Sequence, residues 1–135
     1  MVQPFPADCP PADAVAMEGT FYRLAHRDHA VGDATTESSW LRPYETRGGE
    51  LYKRTELVEA HALSMFASAE ELSRARDIAP WMARKSVAEV TITTSDGHLR
   101  HAPSAEGDSH HDWWTNPYDL MPSAVVVEAT REVAA

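Results

Sequence analysis

One cysteine, Cys9, is all that the 135-residue chain contains. An intramolecular disulfide is therefore excluded, and a lone thiol in a proline-rich stretch makes a poor nucleophile. A reducing, cytoplasmic setting is the natural expectation. Basic residues are scarce as well: 12 Lys and Arg stand against 21 Asp and Glu, a net charge of −9. Nucleic-acid binding needs clustered cations to displace counterions from phosphates. The nearest approach to a cluster, Arg74, Arg76, Arg84 and Lys85, is dispersed and punctuated by acids. No nucleic-acid partner is expected, which leaves room for one small basic pocket that takes a phosphate-bearing ligand. No apolar run approaches the roughly 18–20 residues that span a bilayer, so no membrane partner is expected either. The N-terminus lacks the basic start and apolar stretch of a secretory signal. Familiar catalytic signatures are missing too: no phosphate loop, dinucleotide-binding glycine fingerprint, paired CxxC, HExxH or GxSxG.

What is present reads as a single folded domain. Hydrophobic residues at 43% and charged residues at 24% are globular rather than disordered proportions. Residues 1–18 form a proline-rich, extended lead-in, and residues 19–135 the domain. "GTFYRLAH", Gly19 to His26, has the aromatic and aliphatic content of a strand. A short helix is expected around Thr36 to Leu41, ending before Pro43, and Gly48-Gly49 marks a turn. The stretch containing Leu51, Leu57 and Val58 fits neither period and is read as a short helix feeding a strand at "HALSMFA".

Ser68 lies three residues before Glu71, the reciprocal capping pattern of a helix start. Leu72, Ala75, Ile78 and Ala79 follow at helical spacing, and Pro80 ends the element. In "KSVAEVTITT", Ala88, Val90 and Ile92 alternate with polar residues as in a half-buried strand. Asp96-Gly97 is a two-residue hairpin signal, with "HLRHA" returning. "GDSHHDWWTNP" reads as a long loop, and Ser123 to Thr130 as the last strand. The order predicts an α+β domain.

Several residues could carry chemistry. Arg23 sits inside an apolar strand, where a guanidinium needs an anionic partner. That partner is a structural carboxylate or a gripped phosphate, unless the position faces outward. Ser64, between a strand and a capped helix, either caps backbone or orients a bound sugar. Phe66 belongs to the core. Trp113 and Trp114 are core filling or a ligand platform. Glu128 interrupts the last strand and is either solvent-facing or catalytic. His98, His101, His110, His111 and Asp112 lie close in sequence, but no recognised zinc spacing is present and adjacent strand histidines diverge, so no metal is favoured.

"FYRL" at Phe21 to Leu24, "LSMFASAEELSRAR" at Leu63 to Arg76, "KSVAEVTI" at Lys85 to Ile92 and the "SHHDWWTNPYDLMPSAVVVEA" tail together resemble the compact ADP-ribosyltransferase-like fold of small actinobacterial proteins. The resemblance covers Gly19 to Thr130 and implies two small antiparallel sheets flanking a cleft that holds NAD as substrate. It implies that Arg23 anchors a phosphate or the nicotinamide ribose and that Ser64 supports the ribose. Phe66, Trp113 or Trp114 would stack on nicotinamide, and a glutamate near the last strand would stabilise oxocarbenium-like charge. The family's Glu-x-Glu or Gln-x-Glu before that strand is missing. Glu128 and the loop residue Glu106 are the carboxylates nearby, and His110 is a catalytic alternative. Such a protein would bind NAD and transfer ADP-ribose to an unknown acceptor, as a toxin with an antitoxin-like partner or as a modifying enzyme.

Two other readings stand beside it. One is a non-catalytic interaction protein using an exposed Trp/His loop. The other is a metal-dependent small enzyme using His98, His101, His110 and Asp112.

Overall fold

Strand β2, Gly19–Ala25, pairs antiparallel along its whole length with β4, Ser86–Ile92, from Gly19↔Ile92 to Ala25↔Ser86. The computed structural model describes residues 9–25, 30–35, 40, 61–105, 107–117 and 120–130. The short helix expected at Thr36 to Leu41 (Trp40 apart), the Gly48-Gly49 turn, residues 51–60, Glu106 and the first eight residues lie outside them. The other strands are β1 (Val15–Ala16), β3 (Leu63–Phe66), β5 (Gly97–His101), β6 (His110–Thr115) and β7 (Ala124–Glu128). Helices α1 (Ala69–Ile78) and α2 (Pro80–Ala83) follow β3. The strands run in the order β1-β5-β6-β3-β2-β4-β7, so the protein is a small α+β domain built mostly on one antiparallel sheet. Where two sheets were expected there is one hydrogen-bonded ladder. Its four-strand and three-strand blocks meet between β3 and β2 at Tyr22↔Phe66.

Helix α1 starts as the sequence predicts, with Ser68 Oγ accepting from the Glu71 amide at 3.1 Å. The reciprocal half of the cap goes elsewhere. Glu71 Oε1 accepts from the Ser109 amide at 2.8 Å, and the Ser68 amide donates to Ser109 Oγ at 3.2 Å. A tertiary bond thus satisfies the orphan amide that a local glutamate would otherwise take, and it fastens the helix start to the residue before β6. Leu72 and Ala75 are buried, whereas Ile78 is 83% exposed. Helix α1 ends at Ile78 with Ala79 as its C-cap, just before Pro80 as expected, and Pro80 then opens α2, a position where its missing N–H costs nothing.

Two strand expectations are corrected. Asp96-Gly97 does not close a hairpin, because β4 pairs with β2 and β7 while β5 pairs with β1 and β6. Thr94–Asp96 is instead a short 3₁₀ turn closed by a true capping box between Thr93 and Asp96. The tail loop is likewise partly a strand. β6 lies inside the sheet between β5 and β3, and Trp113 and Trp114 are each 1% exposed. Strand alternation sends Trp113 to a cluster with Phe21, Trp40, Leu63, Met65 and Leu99, and Trp114 to the other face beside Ala14 and Ala62. A strand covered on both faces shows no apolar–polar alternation, which is why this one reads as a loop.

Candidate functional site

Past the Tyr22↔Phe66 rung, β2 and β3 no longer pair, and the next residue of β2 is Arg23. Its guanidinium reaches across the gap, donating from Nη1 to the Ser64 carbonyl at 2.9 Å, and lies over the Trp40 ring with Cζ 5.6 Å from the centroid. The cation is thereby held by a carbonyl dipole and an aromatic face. A cleft of about 180 Å³ opens here, lined by Arg23, Leu24, Ser64, Phe66, Trp81, Met82 and His110. Phe66 and Met82 are buried, and Trp81 is 57% exposed. The His110 ring meets Phe66 edge-on at 5.3 Å, and its Nδ1 faces the Ala102 carbonyl at 2.8 Å. A carbonyl can only accept, so Nδ1 carries the proton in this contact, and a neutral ring keeps its acceptor at Nε2.

The structure thus brings four of the sequence-predicted residues together: Arg23, Ser64, Phe66 and His110. It does not bring the others. Trp113 and Trp114 are core residues, so neither walls the cleft nor forms an exposed loop. The indole beside Arg23 is Trp40, which meets Trp113 edge-on at 6.3 Å. The expected adjacency of Arg23 to the tail tryptophans is therefore one ring removed. Glu128 does not line the cleft. Its carboxylate accepts from Arg76 Nη1 at 3.0 Å while the side chain stays 35% exposed, so it is a partly solvent-facing structural partner. Trp40, Trp81 and Arg76 were missed. Trp81 carried one usable signal, a large apolar residue directly after a helix-opening proline.

The histidines separate by face. In the β5–β6 register His98 shares a face with His110, Asp112 and Trp114, while His101 and His111 point the other way. Asp112 is bound to Arg100 at 3.1 Å. No group of three His, Cys, Asp or Glu could hold a metal among the described residues.

His101 and His111 form a ring pair 5.1 Å apart on the far face, and the His111 ring also meets Phe21 edge-on at 5.3 Å. Burial pushes the His111 imidazole below the ordinary histidine value of 6.5, and His101 and His110 add to the effect. The Ser109 carbonyl, accepting from Nδ1, and the Asp112 carboxylate oppose it. Below about pH 6.5 the unfolded chain then binds more protons here than the folded one. This contribution to stability is complete above that pH and is lost as pH falls from there through the lower folded-state value. Melting temperatures measured at roughly pH 7.5 and roughly pH 5.5 should fall more for the wild type than for His111→Gln. Equal falls would remove His111 as the cause.

No protein-family profile matches the chain, and no curated protein or solved structure matches it.

Proposed function

We propose that the chain is an NAD-binding domain of ADP-ribosyltransferase-like layout, with the Arg23 cleft as the seat of the nicotinamide–ribose end. The observation that carries this reading is the convergence of a guanidinium, a serine, an exposed indole and an imidazole on the one gap between β2 and β3. The division of the sheet into two blocks at that gap supports the layout. Arg23 supplies positive charge for a phosphate, and a planar fork suits phosphate oxygens. Phe66 and Met82 give the cleft an apolar floor, and Trp81 offers a ring face.

ADP-ribose transfer is the second reading, favoured by His110. The bond from ribose C1′ to nicotinamide breaks with its electron pair leaving on nicotinamide. The acceptor's nucleophile bonds to C1′, and its proton passes to His110 Nε2. No carboxylate lines the cleft among the described residues, so positioning supplies most of the acceleration.

Calorimetric titration with NAD is expected to give saturable binding that Arg23→Ala weakens about tenfold or more and Arg23→Lys weakens less. Absence of binding, or an Arg23→Ala protein that is folded and binds equally well, removes the reading. Nicotinamide release that His110→Asn abolishes, with NAD affinity retained, supports transfer; no release from the wild type leaves a binder.

A further inference from the structure

A row of side chains crosses β5, β6 and β3 at the partners His101↔His111 and Met65↔His111, and none of the three lines the Arg23 cleft. Strand alternation turns all three to one face of the sheet, opposite to His110 and Asp112. We infer that this row binds a soft monovalent cation, cuprous copper, with His101 and His111 as nitrogen ligands and Met65 as the sulfur ligand.

The ring nitrogens carry the first argument. His111 Nδ1 faces the Ser109 carbonyl at 2.7 Å, and His101 Nε2 faces the Asp108 carbonyl. Carbonyls only accept, so both of these nitrogens carry protons. In neutral rings His111 Nε2 and His101 Nδ1 then keep their lone pairs. Among the described residues neither of those two nitrogens has a hydrogen-bond partner. A ring fixed to a backbone carbonyl through one nitrogen and open at the other is how an imidazole ligand is ordinarily held. The rings stand 5.1 Å apart, close enough for one ion bonded at about 2 Å to each. His101 is exposed and His111 half-buried, which gives the ion a way in from solvent.

Met65 selects the ion. It is the cross-strand neighbour of His111 and is fully buried in the core with Phe21, Leu63 and Leu99. A thioether is a soft ligand that favours Cu(I), and imidazole suits copper as well. Carboxylates would favour a harder ion, but Asp112 leaves the other face and is bound to Arg100 at 3.1 Å. Structural zinc takes four protein ligands, whereas filled-shell Cu(I) is satisfied by two or three.

Anaerobic titration of the full chain with Cu(I), against a chromophoric cuprous chelator, is expected to give one ion per chain. His101→Gln, at an exposed position, should weaken binding about tenfold or more, and His111→Gln as much. Met65→Leu, which keeps the core volume, should also weaken it about tenfold. His98→Gln, on the other face, should leave the affinity unchanged. With Ag(I) as a redox-inert stand-in, the Met65 methyl resonance should shift. No Cu(I) binding to the wild type overturns the site. Wild-type affinity in His101→Gln, or an equal loss in His98→Gln, does so too. Cu(I) affinity untouched in a folded Met65→Leu protein overturns the choice of copper.

Discussion

Arg76→Ala is expected to destabilise the fold by about 3–5 kcal/mol, the range for removing one member of a buried charged network. For a chain of this size that is a melting temperature lower by at least roughly 10 °C. The Arg76 side chain is fully buried. Nε donates to the Met82 carbonyl at 3.4 Å, and Nη1 to Glu128 at 3.0 Å. Nη2 donates to the carbonyls of Lys85 and Ala129, at 2.7 and 2.8 Å. One residue of α1 thus ties together α2, the entry to β4 and the exit from β7. Replacing a buried ion pair by apolar groups is often harmless, because neither charge need then be desolvated. Three of these acceptors, the carbonyls of Met82, Lys85 and Ala129, belong to the backbone, which no substitution of Arg76 removes. Arg76→Met, which fills much of the space but donates nothing, should therefore still lose about 3 kcal/mol. Glu128→Gln, which keeps an oxygen facing Arg76, should lose roughly 1 kcal/mol. Thermal melts of the three variants decide the matter. An Arg76→Met protein as stable as the wild type would show that packing, not hydrogen bonding, is what Arg76 contributes.

Gly97→Ala should be nearly as damaging, at about 3 kcal/mol or more, for a different reason. Gly97 has φ +127°, outside the range that side-chain-bearing residues ordinarily adopt. A Cβ there would stand 2.1 Å from the Trp114 carbonyl oxygen and 2.9 Å from the Thr115 Cα. Both are backbone atoms of a central strand, so neither can swing aside as a side chain does. The turn before Gly97 is fastened to the same strand: the Asp96 carbonyl accepts from the Trp113 indole at 3.1 Å and from the Asn116 amide at 2.9 Å. Urea unfolding of Gly97→Ala beside Gly32→Ala gives the contrast. Gly32 also has a positive φ, +94°, but a Cβ there meets nothing within 4 Å. Equal midpoints for the two variants would mean that backbone conformation alone is at work and the close approach to β6 is relieved.

These two residues also show how far the sequence could be read. The α1 cap, the β4 alternation, the final strand and the Arg23, Ser64 and Phe66 positions were legible because each depends on near neighbours in the chain. Arg76 was not. With about 100° per residue, Arg76 falls about 40° beyond Leu72 at one edge of the stripe that Ala75, Ala79 and Leu72 define, and Ile78 about 60° beyond Ala75 at the other. An apolar-only count therefore chose the exposed residue over the buried cation. Asp96-Gly97 carried a genuine signal for a glycine-requiring turn, but not for which strand the chain would join next. That choice is fixed by β6, a strand whose histidines and aspartate conceal its place inside the sheet. The cleft was half legible for the same reason: Trp81 and Trp40 reach it through tertiary contacts that no spacing announces.

The lone rung between β2 and β3 gives the molecule a seam. Two strands paired along their length are held by a row of backbone bonds, but across this seam the backbone pairing is one bridge beside the stitch that Arg23 makes to Ser64, and the hold comes from the core that Phe21 shares with Leu63, Met65 and Trp113. The guanidinium that lines the cleft is therefore also a polar tie between the two blocks of the sheet, so one side chain serves both the opening and the join.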